Sequence, residues 1–281
     1  TPNVTLTTGK PVLDASGQLQ RYEVDGGAVT IDGQGLNASN VERFDIITRS
    51  AKINAQINTR ELNVIAGRND VDAQSLKTTA RADDGSAKPE LAIDSSALGG
   101  MYAGAIKLVG TEAGVGVKLD GTLAASGGDI QLDANGRLSM AQAAATGNVK
   151  VTAQNVDLTD KVYANGNVQV TSAQALVNRK SIAAGQRIDI NAASVNNPGI
   201  IEAGVAADNS RNTTGDLVIN AQTVTTSGNL LASRALAITA AQALTNQGAI
   251  IQAKTVEVSS AKLTNQGASA RLFGEQTLAI N

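Results

Sequence analysis

The chain has 281 residues, a formal net charge of −2, and neither cysteine nor histidine. Those two absences exclude disulfide staples, thiolate nucleophiles, histidine-ligated metals and histidine-based triads. Hydrophobic residues make up 42% but aromatics only 2%, with no Trp, so a core must be layered from Val, Ile, Leu and Ala.

No basic stripe points to nucleic acid or an anionic membrane. No apolar run approaches the roughly 20 residues of a membrane-spanning helix. The opening TPNVTLTTGK lacks the charged start and apolar core of a signal peptide.

Residues 1–50 alternate β-like runs with turn signals. Val4–Thr7, Tyr22-Glu23-Val24, Ala28–Ile31 and Phe44–Ile47 read as strands; Asp25-Gly26-Gly27 and Asp32-Gly33-Gln34-Gly35 read as turns. Ala51 to Ala66 continues the theme, with Ile53, Ile57, Leu62 and Val64 expected inward. Residues 67–90 are polar, contain Asp83-Asp84-Gly85 and end near Pro89. They are expected to form a surface loop or long hairpin bulging from a coil, with a docking loop as the sharper alternative. In residues 91–127, Ile106, Leu108, Val115, Val117 and Leu119 fit strand alternation, and seven glycines between Gly99 and Gly121 exclude a stable helix.

From Gly128 a beat takes over. Segments begin at Gly128, Gly147, Gly166 and Gly185, 19 residues apart. Each carries aliphatic residues two apart: Ile130/Leu132, Val149/Val151, Val168/Val170 and, one place later, Ile188/Ile190. The signature returns at Leu217/Ile219, Leu236/Ile238, Val256/Val258 and Leu278/Ile280. The one long step contains a polar insert near 206–215, AADNSRNTTG. Two identical runs, Leu244-Thr-Asn-Gln-Gly-Ala and Leu263-Thr-Asn-Gln-Gly-Ala, confirm the phase and stack Asn197, Thr226, Asn246 and Asn265 at one polar corner. Ala232 to Gln247 is helical by propensity alone, but the phase assigns it to strand.

A period of 19–20 residues is that of a solenoid, here an all-β parallel β-helix with two or three short strands per coil. Coils about 4.8 Å apart would number roughly 14 and form one rod on the order of 65 Å long. Leu278-Ala-Ile-Asn281 ends in mid-strand, and the native chain is expected to continue in both directions.

Chemistry is sparse. A β-helix hydrolase or lyase needs converging carboxylates, yet Asp129, Asp133, Asp157 and Asp189 fall at different phases, with only Asp133 and Asn191 near one phase. Asp83-Asp84 reads as a turn. Gly127-Gly128-Asp129 resembles one fragment of a calcium-binding nonapeptide, but no second copy follows. The Gly110–Gly121 glycines lack the G-K-[ST] of a phosphate loop. No catalytic, cofactor or metal residue is assigned; binding residues are left unknown, with the segments at 67–90 and 206–215 as the places to look.

Ala92–Leu138, and Met101–Val117 above all, closely resembles a segment of the filamentous haemagglutinin family of two-partner secretion exoproteins. That family includes adhesins and contact-dependent growth inhibition toxins of Gram-negative bacteria. Thr5-Leu-Thr-Thr-Gly-Lys-Pro, Tyr22-Glu-Val, Gly33-Gln-Gly-Leu-Asn-Ala and Leu62-Asn-Val-Ile-Ala-Gly-Arg-Asn are similar to the later part of its secretion domain. The LTNQGA coils are similar to its haemagglutinin repeats. The resemblance implies a right-handed parallel β-helix and a secreted, cell-surface location associated with the outer membrane. It also implies an outer-membrane transporter as partner, recognised through parts mostly upstream.

The expected organisation is 1–100 as the C-terminal part of the secretion-type β-helix and 101–281 as haemagglutinin-repeat coils continuous with it. The expected function is a non-enzymatic, cofactor-free stalk presenting distal receptor-binding or toxin regions. The alternatives are a glycan or receptor binder acting through its inserted loops, and a polysaccharide-active enzyme. The column assignment makes a direct prediction. Val168→Asp should bury an unpaired charge and cost about 3–5 kcal/mol, while Gln169→Asp should leave thermal melting unchanged; equal losses would refute the register.

Overall fold

The computed structural model describes residues 2–281, and among them every regular element is a β-strand. The helical alternative for Ala232–Gln247 is overruled by Ala235–Gln247, which runs as one strand. Each coil of the regular part contributes three strands joined by tight corners, as in Val149–Ala153, Asn155–Leu158 and Lys161–Ala164. The coils number about 13 rather than 14, because residues outside the beat form other elements. The chain divides into two compact units, Thr1–Gly127 with Gln131–Ser139, and Gly128–Ile130 with Met140–Asn281.

In the second unit, successive coils pair in parallel and in register, Val149 on Val168 and Val151 on Val170, then Val168 on Ile188 and Val170 on Ile190. Because side chains alternate across a strand, the aliphatic members fall inside. Val149, Val151, Val168 and Val170 are buried while Lys150 and Gln169 are exposed, as the column assignment requires. The single-residue slip before Ile188 arises at one corner. Ala153 pairs with Ser172 but Val156 with Leu176, so the extra residue sits between Ser172 and Ala175. In consequence Gly185 stands over Asn165 and Gln186 takes the place above Gly166, a correction to the four-glycine series: the amide of Gln186 donates to Gly166 O at 2.9 Å.

The other glycines of that series have a physical cause. Asp129 Oδ1 accepts the Asn148 amide at 2.7 Å, and Asn148 Oδ1 accepts the Asn167 amide at 2.8 Å. A Cβ on Gly147 or Gly166 would lie 2.2 or 2.3 Å from those same oxygens. Glycine leaves room for the coil beneath to cap the strand above it.

The Asn/Thr corner is more deeply buried than its polarity suggests. Asn178, Asn197, Thr226 and Asn246 are all fully buried, at the last inward place of the second strand. Asn178 Nδ2 donates to Asn197 Oδ1 at 2.7 Å, Asn197 Nδ2 to Thr226 Oγ1 at 3.1 Å, and Asn246 Nδ2 to Asn265 Oδ1 at 2.8 Å. The ladder starts one coil earlier than expected, at Asn178, which pairs with Leu158 on its other side. There Asn178 Oδ1 is left without a partner.

The first unit contains parallel coils too: Ser50–Ile53 pairs with Leu91–Ser95, Ile57–Thr59 with Met101–Ala103, and Glu61–Ala66 with Ala105–Gly110. It departs from the expectation in one place. Asn69–Asp72 and Thr78–Ala80 form the expected hairpin, but instead of bulging freely it joins Lys10–Leu13 and Leu19–Glu23 in a separate four-stranded antiparallel sheet. The sheet covers the outer face of a coil. Phe44–Thr48 is buried at all five positions, and Tyr22, Val24, Ile47, Ile65, Val71 and Leu76 form a second core outside the solenoid. Strands buried on both faces lose their alternation, which is why Ile46-Ile47 and Val64-Ile65 occur as doublets.

The ladder can be tested by two substitutions. Asn197→Ala should cost about 2–3 kcal/mol by stranding its partners in the core. Asn178→Leu extends the Leu158 column and removes the orphaned oxygen but takes the donor from Asn197 Oδ1, so it should cost about 1–2 kcal/mol, less than Asn197→Ala. Denaturant unfolding of both variants checks the order.

Candidate functional site

Two places break the coils: the antiparallel sheet with the segment that follows it, and the insert near 206–215. Both are held in place by named contacts.

In the first unit, Glu23 and Asp70 face each other across the antiparallel sheet. Arg81 lies between them, with Nη1 at 3.2 Å from Glu23 Oε2 and 2.6 Å from Asp70 Oδ1, and its Nε donates to Asp25 Oδ1 at 2.8 Å. Arg68, itself only 8% exposed, reaches Asp25 at 2.8 Å and Asp84 at 3.1 Å and donates to Ala82 O at 2.6 Å. Arg49 closes the row: it pairs with Glu112 at 3.1 Å and donates to Ser86 Oγ at 2.7 Å. Lys88 Nζ donates to Ala113 O at 2.9 Å. Residues 81–88, which have no regular secondary structure, are thus strapped down by four cationic side chains. Asp83 and Asp84 take up turn roles within the strap, accepting from the amides of Gly85 and Ser86.

The arrangement argues against acid–base chemistry. The hydrogen bond from Arg81, and then its charge and that of Arg68, hold the Asp25 carboxyl below its usual range. Hydrogen bonds from Ser86, then the charge of Arg68, do the same for Asp84. A general acid needs the opposite shift. Among the carboxyls of the described residues Asp45 alone is pushed up, by burial against the opposing bonds from Asn63 and Arg43, and it is buried on the Phe44–Thr48 strand.

The acids singled out in the second unit are likewise occupied. Asp157 is buried and takes both Arg179 Nε and Nη2, at 2.8 and 3.2 Å. Asp189 pairs with Arg187 at 2.8 Å, and Asp129 caps Asn148. Asp133 in the first unit and Asn191 in the second are both exposed. No group of three or more acidic side chains could hold a metal ion among the described residues.

The insert leaves the coil after Ile200–Ala203 and returns at Asp216. Arg211 grips Glu202 through two bonds of 3.0 Å. Asn212 Nδ2 donates to Gly185 O at 2.6 Å, Ser233 Oγ to Asn212 Oδ1 at 2.9 Å, and the Tyr163 hydroxyl to Val205 O at 3.2 Å. Asn209 turns the tip in the left-handed region, φ 71°, a conformation asparagine tolerates. The insert is therefore a fixed ridge with a cleft on each flank. One is lined by Lys161, Tyr163, Ser181 and Asp208, the other by Arg211, Leu231, Lys254 and Glu275. Its sequence announced an insertion by length; the anchors Gly185 and Ser233 were invisible because they belong to other coils.

The TPS secretion domain family matches residues 1–140, and the haemagglutinin repeat family matches residues 144–281. The chain belongs to the filamentous haemagglutinin family of two-partner secretion exoproteins. Similar curated proteins are the tRNA nuclease CdiA of Yersinia mollaretii, 50% identical over 145 residues, and the 16S rRNA endonuclease CdiA of Enterobacter cloacae, 51% identical over 146. Toxin CdiA of Yersinia pestis is 48% identical over 134 residues. These alignments cover 52%, 52% and 48% of this chain but only 5%, 4% and 4% of the relatives. No solved structure matches the chain. This filamentous haemagglutinin family member is a secreted, cell-surface exoprotein of the Gram-negative type, and its strands stack as the resemblance implied.

The strap has a pH sign. The Asp25 and Asp84 carboxyls are depressed in the folded state, so the stability they lend is present above the unfolded value of about 4. It is lost as pH falls through the lower folded values. Acidification from about pH 5 to about pH 2 should free residues 81–88 while the coils remain paired. NMR shifts of Gly85 and Ser86 report this; a strap that stays fixed throughout would show that the ion pairs do not hold it.

Proposed function

We propose that this chain is a non-catalytic export and stalk segment of a large exoprotein of the contact-dependent growth inhibition type. The supporting observation is the pairing of a secretion-domain match over 1–140 with a haemagglutinin-repeat match over 144–281. In this reading an outer-membrane transporter of the two-partner system is the export partner. The repeat coils then hold distal toxic or receptor-binding parts away from the producing surface, to which the exoprotein remains attached.

The relatives themselves argue for a non-enzymatic role. Stretches 50% and 51% identical to this chain occur in one protein named for tRNA cleavage and in another named for 16S rRNA cleavage. A shared segment does not account for activities that differ. The acids of the chain fit that reading: the close pair Glu23 and Asp70 has a guanidinium between its members, and Arg187 stands 2.8 Å from Asp189 and 3.8 Å from Asp216.

A stalk coil should be dispensable if it is removed in phase. Excising residues 235–254 joins Arg234 to Thr255, which takes the place of Ala235 over Asp216, whose carboxylate can accept its amide as it now accepts that of Ala235. In the full-length exoprotein, export and target-cell inhibition should persist within about twofold, with the distal parts about 5 Å closer. Removing residues 147–156 breaks the beat and should abolish surface display. A displayed but inactive in-phase deletion would show that the coil carries a site of its own.

A further inference from the structure

The cleft between the insert and the coil wall has features that a plain stalk does not need. It encloses about 560 Å³, within the range of small-ligand sites. Its wall is the Tyr163 side chain, half-buried, with the small Ala183 next to it on the following coil. Around that wall stand Lys161, Ser181, Asp208 and Asn209. Asp208 spends one carboxylate oxygen on its own turn, receiving the Ser210 amide at 3.0 Å and hydroxyl at 2.6 Å. Among the described residues its other oxygen has no hydrogen-bond partner and the Lys161 ammonium is in no ion pair. The aromatic wall is fixed by the bond from Tyr163 to Val205 O, and the ridge by Arg211 and Asn212. The polar groups are thus carried on a preorganised frame, which lowers the ordering cost of binding.

We propose that this cleft binds a neutral oligosaccharide, one sugar ring against Tyr163 and its hydroxyls shared among Asp208, Asn209 and Lys161. Sugar rings present C–H faces to an aromatic wall and hydroxyls that both donate and accept. The cleft supplies an acceptor in Asp208, a donor in Lys161, and both in Asn209 and Ser181. The opposite charges of Lys161 and Asp208 favour a ligand without net charge. A folded protein partner fits less well, because a stable interface buries roughly 800 Å² per side around apolar anchors, and the ridge tip from Ala206 to Ser210 is exposed and mostly polar.

This inference concerns binding by the coils themselves and stands apart from the stalk reading. The test uses the whole chain on an array of neutral linear oligosaccharides of glucose, galactose, mannose and N-acetylglucosamine, followed by ligand-observed NMR with each hit. Wild type should bind at least one series with a Kd of about 1 mM or tighter. Asp208→Ala and Lys161→Ala, on exposed side chains, should each weaken it about tenfold with melting unchanged. Tyr163→Phe should keep most of the affinity, whereas Tyr163→Ala should lose it. Lys254→Ala, on the other flank of the ridge, should have no effect. Absence of binding to every series at about 10 mM, binding indifferent to Asp208 and Lys161, or capture of a sugar-free protein through the same cleft would each overturn the proposal.

Discussion

The constraint on which this structure depends is that each coil finds its hydrogen-bond partners in the coils beside it. A strand such as Val168–Ser172 has no partner within its own turn; its amides and carbonyls are met by Val149–Ala153 on one side and Arg187–Asn191 on the other. Register follows from this. A slip of one residue would turn Val168 and Val170 out and Gln169 in, so a coil that gains a residue must absorb it at a corner, as the Ser172–Ala175 corner does. The same constraint puts the asparagines where they are. An amide in an apolar core is costly unless satisfied, and a column of amide and hydroxyl neighbours satisfies all but the first oxygen.

Departures from the beat are therefore informative, because each must be stabilised by contacts the coil does not supply. The antiparallel sheet does so with a second apolar core and a strap of guanidinium–carboxylate pairs. The insert does so with Arg211, Asn212 and the hydroxyl of Tyr163 two coils away. Functional side chains that need positions independent of the stacking are best carried at such places, and the regular faces between them are left to hold distance.

Much of this was legible in the sequence, for a physical reason: parallel stacking repeats the same environment every turn, so the same residue types recur at the same phase. The beat located the Val and Ile columns, the insert and most of the asparagine ladder. Asn178 was missed because its neighbour on one side is Leu158, which hides the start of the column. The antiparallel sheet was missed because it joins Lys10–Leu13 and Leu19–Glu23 to Asn69–Asp72, a pairing with no period to betray it. The doublets Ile46-Ile47 and Val64-Ile65 were the available sign, since a strand wet on one face has no use for them. The cleft beside the insert was not legible at all. Tyr163 and Asp208 are 45 residues apart, and only the folded ridge brings them to one wall.

The antiparallel sheet also carries a consequence for time. Its central pairing joins residues near position 21 to residues near position 71. A chain that emerges from its N-terminus forward can close the hairpin of Lys10–Leu13 with Leu19–Glu23 at once. It must then wait for some fifty further residues before Asn69–Asp72 arrives. Sequence separation of this kind slows closure. The coils built from residues 28 to 66 stand in between, and Ile47 and Ile65 stay uncovered on their outer face until the sheet lies down on them. The Lys10–Glu23 hairpin thus appears before the coils of residues 28–66 and is completed only after them, so the finished sheet depends on those coils having formed.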